Sequence, residues 1–361
     1  MRNKLSNAIC ATLLMASFST AAQSKDVLTF LRDVVSPETG IGAREAGTEQ
    51  EQQTADYVKA QFTRMGLDVE VHDFKHPILK EKDKFLLSRN IIAEKKGKSE
   101  KVLVLGAHFD STGSKRGSHG AMDNGAGLSV LLAVAEQLSK LDSLPYTVRF
   151  VAFGAEEIGK VGSRQYLTML NDKPGEIERL KGMINLDTVA GGDKLYVHSA
   201  HTTPYKCGGD NSRYSSETWM RQAVLSASQK TLGMEQAHQI HPPFPGYPEG
   251  VTGEWSDHEP FACYGVPIAY IETTNFAING KHGFDGYSQS TDPGLWDCFD
   301  KENVTACDRE KEKKWGMIWH SGSDQLELLM GLFGDRVTDQ LNANVKVLVS
   351  FFSEPDKFIK Q

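Results

Sequence analysis

Hydrophobic positions in this chain change period repeatedly, and each change predicts an element. Val27, Leu31, Val34 and Val35 fall on one helical face. "TEQE", Thr48 to Glu51, reads as a capping box that opens a second helix running to Met65, with Gly66 as its stop. "LDVEVHDF" alternates as a half-buried strand does, and "NIIAEKKGK" predicts another strand ending in a charged turn. Val102 to Ala107 and Val148 to Phe153 are continuous apolar runs, the pattern of central strands covered on both faces. Between them, Gly125 to Leu141 carries Leu128, Leu131, Leu132, Ala135 and Leu138 at helical spacing. "GMINLD" and "KLYVHS" predict strands, Trp219 to Leu232 a helix, and "VPIAYIETT" another buried strand. A last helix is expected from about Asp335 to Phe352.

This alternation predicts an α/β fold, a single-domain α/β/α sandwich around a mostly parallel, mixed central sheet. In such sheets ligands bind beyond the carboxyl ends of the strands. Asn275 to Trp319 breaks the alternation, being polar and rich in Gly, Asp and Lys, and is expected to be a long surface loop.

The N-terminus reads differently. Arg2 and Lys4 precede an apolar run from Ala8 to Phe18, followed by small residues at Ala21 and Ala22. These are the parts of a secretory signal, expected over residues 1–22, with 23–361 as one following domain and a periplasmic or secreted destination. The run is shorter than the ~20 apolar residues that span a bilayer. No later segment is long and apolar enough to be a membrane helix, so no membrane partner is expected after signal removal. Of five cysteines, Cys10 lies in the signal. Cys207, Cys263, Cys298 and Cys307 remain as an even set suited to an oxidising compartment, with three pairings open. Cys298 and Cys307 lie close together in the polar loop and are the favoured pair, which leaves Cys207 for Cys263. A net charge of −7 without a basic tract argues against a nucleic-acid partner.

Chemistry-bearing residues gather where the apolar runs end. These are His108 and Asp110 in "GAHFDS", Asp123 in "AMDNGAG", Glu156 and Glu157 in "FVAFGAEEIG", and Asp187 in "MINLDTV"; His320 in "IWHSGSD" comes late in the chain. Singly, each has an ordinary explanation: a core-edge histidine, turn residues, a solvated pair at a helix entrance, a helix cap. Together, so many carboxylates at one sheet edge repel unless positive charge neutralises them. A pair of divalent metals does so, and a His/Asp/Glu set without cysteine suits a catalytic zinc site. Asp110, two residues after His108, is a candidate to fix the imidazole tautomer. Of the adjacent glutamates, one can bind metal while the other serves as general base.

"GAHFDS", "AMDNGAG", "VAFGAEEIGKVGS", "INLDTV", "WSDHEPFACYGVPIAYIE" and "WHSGSD", in this order, resemble the M28 family of zinc aminopeptidases over roughly Val102 to Asp324. The resemblance implies a zinc-exopeptidase-like fold and two zinc ions bridged by Asp123. His108 and Asp187 would complete one ion, and Glu157 and His320 the other. Glu156 matches the general base, Asp110 the support of His108, and a cis peptide is implied between Asp123 and Asn124. It also implies N-termini of peptides or proteins as substrates, whereas the residues alone equally allow a carboxypeptidase. Alternatives are a related single-zinc glutaminyl cyclase and a non-catalytic peptidase-like binding domain, but every ligand position is kept. A serine hydrolase lacks its GxSxG elbow here, and "GIGARE" lacks the third glycine of a nucleotide loop.

One position departs from the family. Where some members carry a tyrosine before the "SD" pair, this chain has Gly253, and Tyr247 is the nearest substitute by sequence. Trp255 and His258 are candidates for the pocket's surroundings, and His119 and His282 read as surface histidines. Secreted relatives within the family imply a basic N-terminal residue, arginine first, with Glu249 and Glu254 as candidates for the complementary charge.

Overall fold

The structure, a computed structural model, describes residues 25–78, 83–209, 211–280, 283–284 and 287–359. The expected signal segment 1–22 and His282 lie outside the described residues. The strands of the main sheet are β1 (Asp68–Pro77), β2 (Phe85–Lys95), β3 (Ser99–His108), β4 (Tyr146–Phe153), β5 (Leu180–Leu186), β6 (Lys194–Ala200), β7 (Val251–Thr252) and β8 (Ile268–Thr274). They form one sheet in the order β1-β2-β4-β3-β5-β8-β6-β7. The central four, β4, β3, β5 and β8, run parallel, while β2 and β6 flank them antiparallel. β3 is fully buried from Val102 onward and β4 from Thr147, as their continuous apolar runs require.

Helices cover both faces. They are α1 (Val27–Val35), α2 (Glu49–Arg64), α3 (Gly127–Ser139), α4 (Val161–Asn171), α5 (Glu176–Arg179), α6 (Trp219–Leu232), α7 (His258–Cys263), α8 (Leu326–Phe333) and α9 (Arg336–Ser353). Residues of α1, α2, α3, α6, α8 and α9 pack with Leu103, Leu105, Phe150 and Ile184 on one face of the sheet. Residues of α4, α5 and α7 pack with Val102, Val104, Val151 and Met183 on the other. This is the expected α/β/α sandwich. At α2, Thr48 Oγ1 accepts from Glu51 N–H at 3.3 Å, while the Glu51 carboxylate accepts from Gly47 N–H at 2.5 Å. The predicted capping box is therefore present, displaced by one residue on its return bond.

Both favoured cysteine pairings form, Cys207–Cys263 and Cys298–Cys307. The 275–319 excursion is fastened at Asp193 in the β5–β6 connection. That carboxylate accepts from Asn275 Nδ2 at 2.7 Å, Ser290 Oγ at 2.7 Å, Thr291 N at 2.8 Å and Arg336 Nη1 at 2.9 Å. The excursion thus returns to the sheet edge where β3, β4 and β5 end, and delivers Trp319 and His320 there.

Candidate metal centre

His108 is the last residue of β3, and Asp187 follows the last residue of β5. Glu156 and Glu157 come just after β4, beyond Ala155, whose φ of 55° turns the chain. Asp123 sits in the tight turn that enters α3, and its bond to Asn124 is cis, as the family resemblance implied. All of these, with His320, line one cleft of about 600 Å³.

Within the cleft Asp123 faces two ways. Its Oδ1 lies 3.3 Å from His108 Nε2, which is 3.4 Å from Asp187 Oδ1. Its Oδ2 lies 2.9 Å from His320 Nε2, which is 3.2 Å from Glu157 Oε2. The structure thus gathers the five predicted ligands into two sets that share one carboxylate. Glu156 belongs to neither set, yet it lines the same cleft and is buried.

Asp110 binds more than was expected of it. Its Oδ1 accepts from Glu156 N at 2.9 Å and its Oδ2 from Glu157 N at 3.1 Å. His108 Nδ1 lies 3.2 Å from the Asp110 carbonyl and 3.5 Å from its carboxylate. One side chain therefore ties the loop after β3 to the loop after β4.

The electrostatics call for a cation. Burial and the nearby Asp123 push Glu157 up to about 8, and one of its oxygens, Oε1, has no hydrogen-bond partner. Burial also raises Glu156 well above the carboxylate range, against the pull of His108. Asp123 goes the other way: burial opposes its charge, but hydrogen bonds from His108 and His320 hold it below the usual range. His320, whose side chain is partly exposed, is lifted to about 11 by its bonds to Asp123 and Glu157, against some desolvation. For Asp123 a proton on imidazole stands where positive charge is demanded, while Glu156 and Glu157 are driven toward their neutral forms. An all-N/O set of imidazoles and carboxylates is a donor set that zinc accepts.

Two supporting residues gave no signal in the sequence. Arg44, fully buried in "GIGARE", donates to the carbonyls of Phe109 (2.8 Å), Gly42 (2.7 Å), His119 (3.0 Å) and Gly120 (2.8 Å). It thereby clamps the loops that present Asp110 and Asp123. Asp324, in "WHSGSD", accepts from Met122 N at 2.6 Å and Asp123 N at 3.3 Å. Elsewhere, His258 is buried with Nε2 on the Gly253 carbonyl at 2.7 Å, a structural role. Trp255 and Tyr247 line the cleft. Glu249 and Glu254 are not among its lining residues; Glu254 instead accepts from Lys206 N at 2.9 Å.

The sandwich and this donor set at the carboxyl ends of its parallel strands define a metal-dependent hydrolase of the zinc-exopeptidase type. Residues 90–341 match the profile of Peptidase family M28, and the chain belongs to that family. It is 29% identical over 274 residues to the alkaline phosphatase isozyme conversion protein of Escherichia coli (strain K12), covering 70% of this chain and 72% of that protein. It is 40% identical over 119 residues to aminopeptidase YwaD of Bacillus subtilis (strain 168), covering 31% of this chain but only 25% of that protein. Among solved structures, the zinc aminopeptidase BSAP from Bacillus subtilis superposes with a TM-score of 0.62 at 18% identity, covering 94% and 96% of the two chains. Glutaminyl cyclase from Porphyromonas gingivalis shares the fold equally, with a TM-score of 0.62 at 18% identity over 92% and 98%. By family and relatives the protein is a metallo-aminopeptidase, a hydrolase dependent on zinc.

Proposed function

We propose that this is a secreted aminopeptidase that releases N-terminal residues, basic ones first, from peptides or proteins at a two-zinc centre. The observation that carries the reading is the Asp123 carboxylate, whose two oxygens face separate imidazole–carboxylate pairs. His108 and Asp187 would hold one zinc, His320 and Glu157 the other, with Asp123 shared. Bound zinc supplies Lewis acidity: it neutralises the carboxylates, polarises a carbonyl and lowers the pKa of water. Glu156, left outside both sets, takes a proton from the attacking water and passes it to the leaving amine. Acidic groups of the same cleft hold the substrate's α-ammonium. Tyr247, whose phenol burial pushes up so that it keeps its proton, is the cleft's candidate donor to the developing oxyanion. The presence of both donor sets favours hydrolysis over single-zinc cyclisation. The two disulfides fit the expected signal and an oxidising destination.

The test compares zinc content and hydrolysis of aminoacyl p-nitroanilides by the mature protein and its Glu156→Gln variant. Two zincs per chain in both, with kcat lowered roughly 10²- to 10⁴-fold in the variant, is the expected result. One tightly held zinc with cyclisation of N-terminal glutamine would replace this reading.

A further inference from the structure

Among the described residues five carboxylates line the cleft, and the proposed chemistry uses four of them, Asp123, Glu156, Glu157 and Asp187. The fifth is Glu272 of β8, 2% exposed, with Oε1 making no hydrogen bond. A buried carboxylate left so is costly unless a charged partner arrives. Its position follows from strand register. Ile271 pairs with Leu186, so Glu272 stands one strand over from Asp187, about 4.8 Å across the sheet. Alternation puts both on the same face, with Ile268, Tyr270 and Met183.

The obvious internal partner does not neutralise it. His198 on β6 lies 2.9 Å from Glu272 Oε1, but neither ring nitrogen makes a hydrogen bond. Burial, together with Arg221, drives His198 down to about 3, so the ring stays uncharged. Lys160, which also lines the cleft, is already engaged by the Glu254 carbonyl and by Glu259 at 3.6 Å.

The walls around Glu272 are aromatic. Phe244 packs on Tyr247 at 4.8 Å and on Phe276 at 5.5 Å between ring centres, and Tyr247 meets Trp255 at 5.7 Å. All four line the cleft with Tyr270. Aromatic faces attract a guanidinium or ammonium, and a carboxylate at their base supplies a charge-assisted bond.

Resting on the aminopeptidase reading, we propose that Glu272 is the specificity-determining residue of this enzyme, binding the cationic side chain of an N-terminal arginine or lysine between the aromatic walls. Glu249 and Glu254, the acids singled out in the sequence, are replaced in that role.

Citrulline, the uncharged isostere of arginine, separates charge from shape. Binding of L-arginine and L-citrulline to the zinc-loaded protein is measured by calorimetry, alongside hydrolysis of arginyl-, citrullyl- and leucyl-p-nitroanilide. The wild type is expected to prefer arginine over citrulline by roughly 10- to 100-fold in both readouts. Glu272→Gln should remove most of that ratio with zinc content unchanged, and Glu272→Asp should give an intermediate value. Equal binding of the two ligands by the wild type, or a ratio unmoved in the variants, overturns the proposal. So does loss of zinc or an equal loss on all three anilides, which would make Glu272 a prop for Asp187. Arginine-selective binding without hydrolysis of any anilide would keep the subsite and sink the aminopeptidase reading.

Discussion

Asp110 shows how much one buried carboxylate can fix. Its two oxygens receive the backbone N–H groups of Glu156 and Glu157, while its own carbonyl stands beside His108 Nδ1. The family resemblance assigned it to His108 alone; the structure adds the positions of both glutamates. An asparagine there keeps one acceptor and turns an amide toward the other N–H. Asp110→Asn is therefore expected to lower kcat about 10- to 100-fold, the usual cost of losing a partner behind a metal ligand. Steady-state kinetics at saturating zinc check this, and an unchanged kcat would show that the clamp is dispensable. Gly253 has an equally local cause. A Cβ there would lie 2.1 Å from the Trp255 ring, so the tyrosine that some relatives carry has no room beneath this tryptophan.

At the scale of elements, pattern and structure agree where one signal dominates. The apolar runs of β3 and β4, the spaced leucines of α3 and the Thr48 cap of α2 were all legible because burial or a single hydrogen bond decides them. α4 was not. It starts from Lys160 in the left-handed region, without a side-chain cap, and its core face is carried by Val161, Tyr166, Leu167 and Leu170. α8 was missed for a related reason: "LELLMGLF" begins without a side-chain cap and is apolar on most sides, so no stripe defines it. Helix pairing also hides a titratable group. His238 is fully buried between Ser228 of α6, at 2.8 Å, and Asn344 of α9, at 2.9 Å. Burial lowers it from 6.5 to about 4, against the pull of Asn344. With the folded pKa depressed, the unfolded chain binds the proton first. The stabilisation is complete above about pH 6.5 and is lost as pH falls through about 4, amounting to ~3 kcal/mol. Urea unfolding at pH 7 and pH 4 should show that share of the acid loss disappearing in His238→Asn. An acid loss identical to wild type would mean that His198 and His258 carry it instead.

Across the whole molecule, the ligands were readable because strand ends concentrate them, whereas their supports come from chain segments with no pattern of their own. Arg44 precedes the sheet and Asp324 follows the long excursion, and each acts through backbone groups that any sequence would offer. Glu272 was hidden inside an apolar strand, where its neighbours announced only burial. The centre draws on β3, the turn before α3, β4, β5 and the end of the excursion, so what binds there joins distant parts of the fold. Without metal, its buried carboxylates are offset by protons on His108 and His320 and by Arg44 beneath them. Chelation should therefore lower the unfolding midpoint by about 5–10 °C, with recovery as zinc is returned, since a ligand held only by the folded state stabilises it by mass action. Variants then separate one shared site from two independent ones. His320→Ala should keep the zinc held by His108 and Asp187 and show about half the thermal recovery. Asp123→Asn should lose both ions and resemble the chelated protein at every zinc concentration tested. Two zincs still bound by Asp123→Asn, counted by elemental analysis, would mean that its carboxylate does not bridge and that each donor pair holds its metal alone.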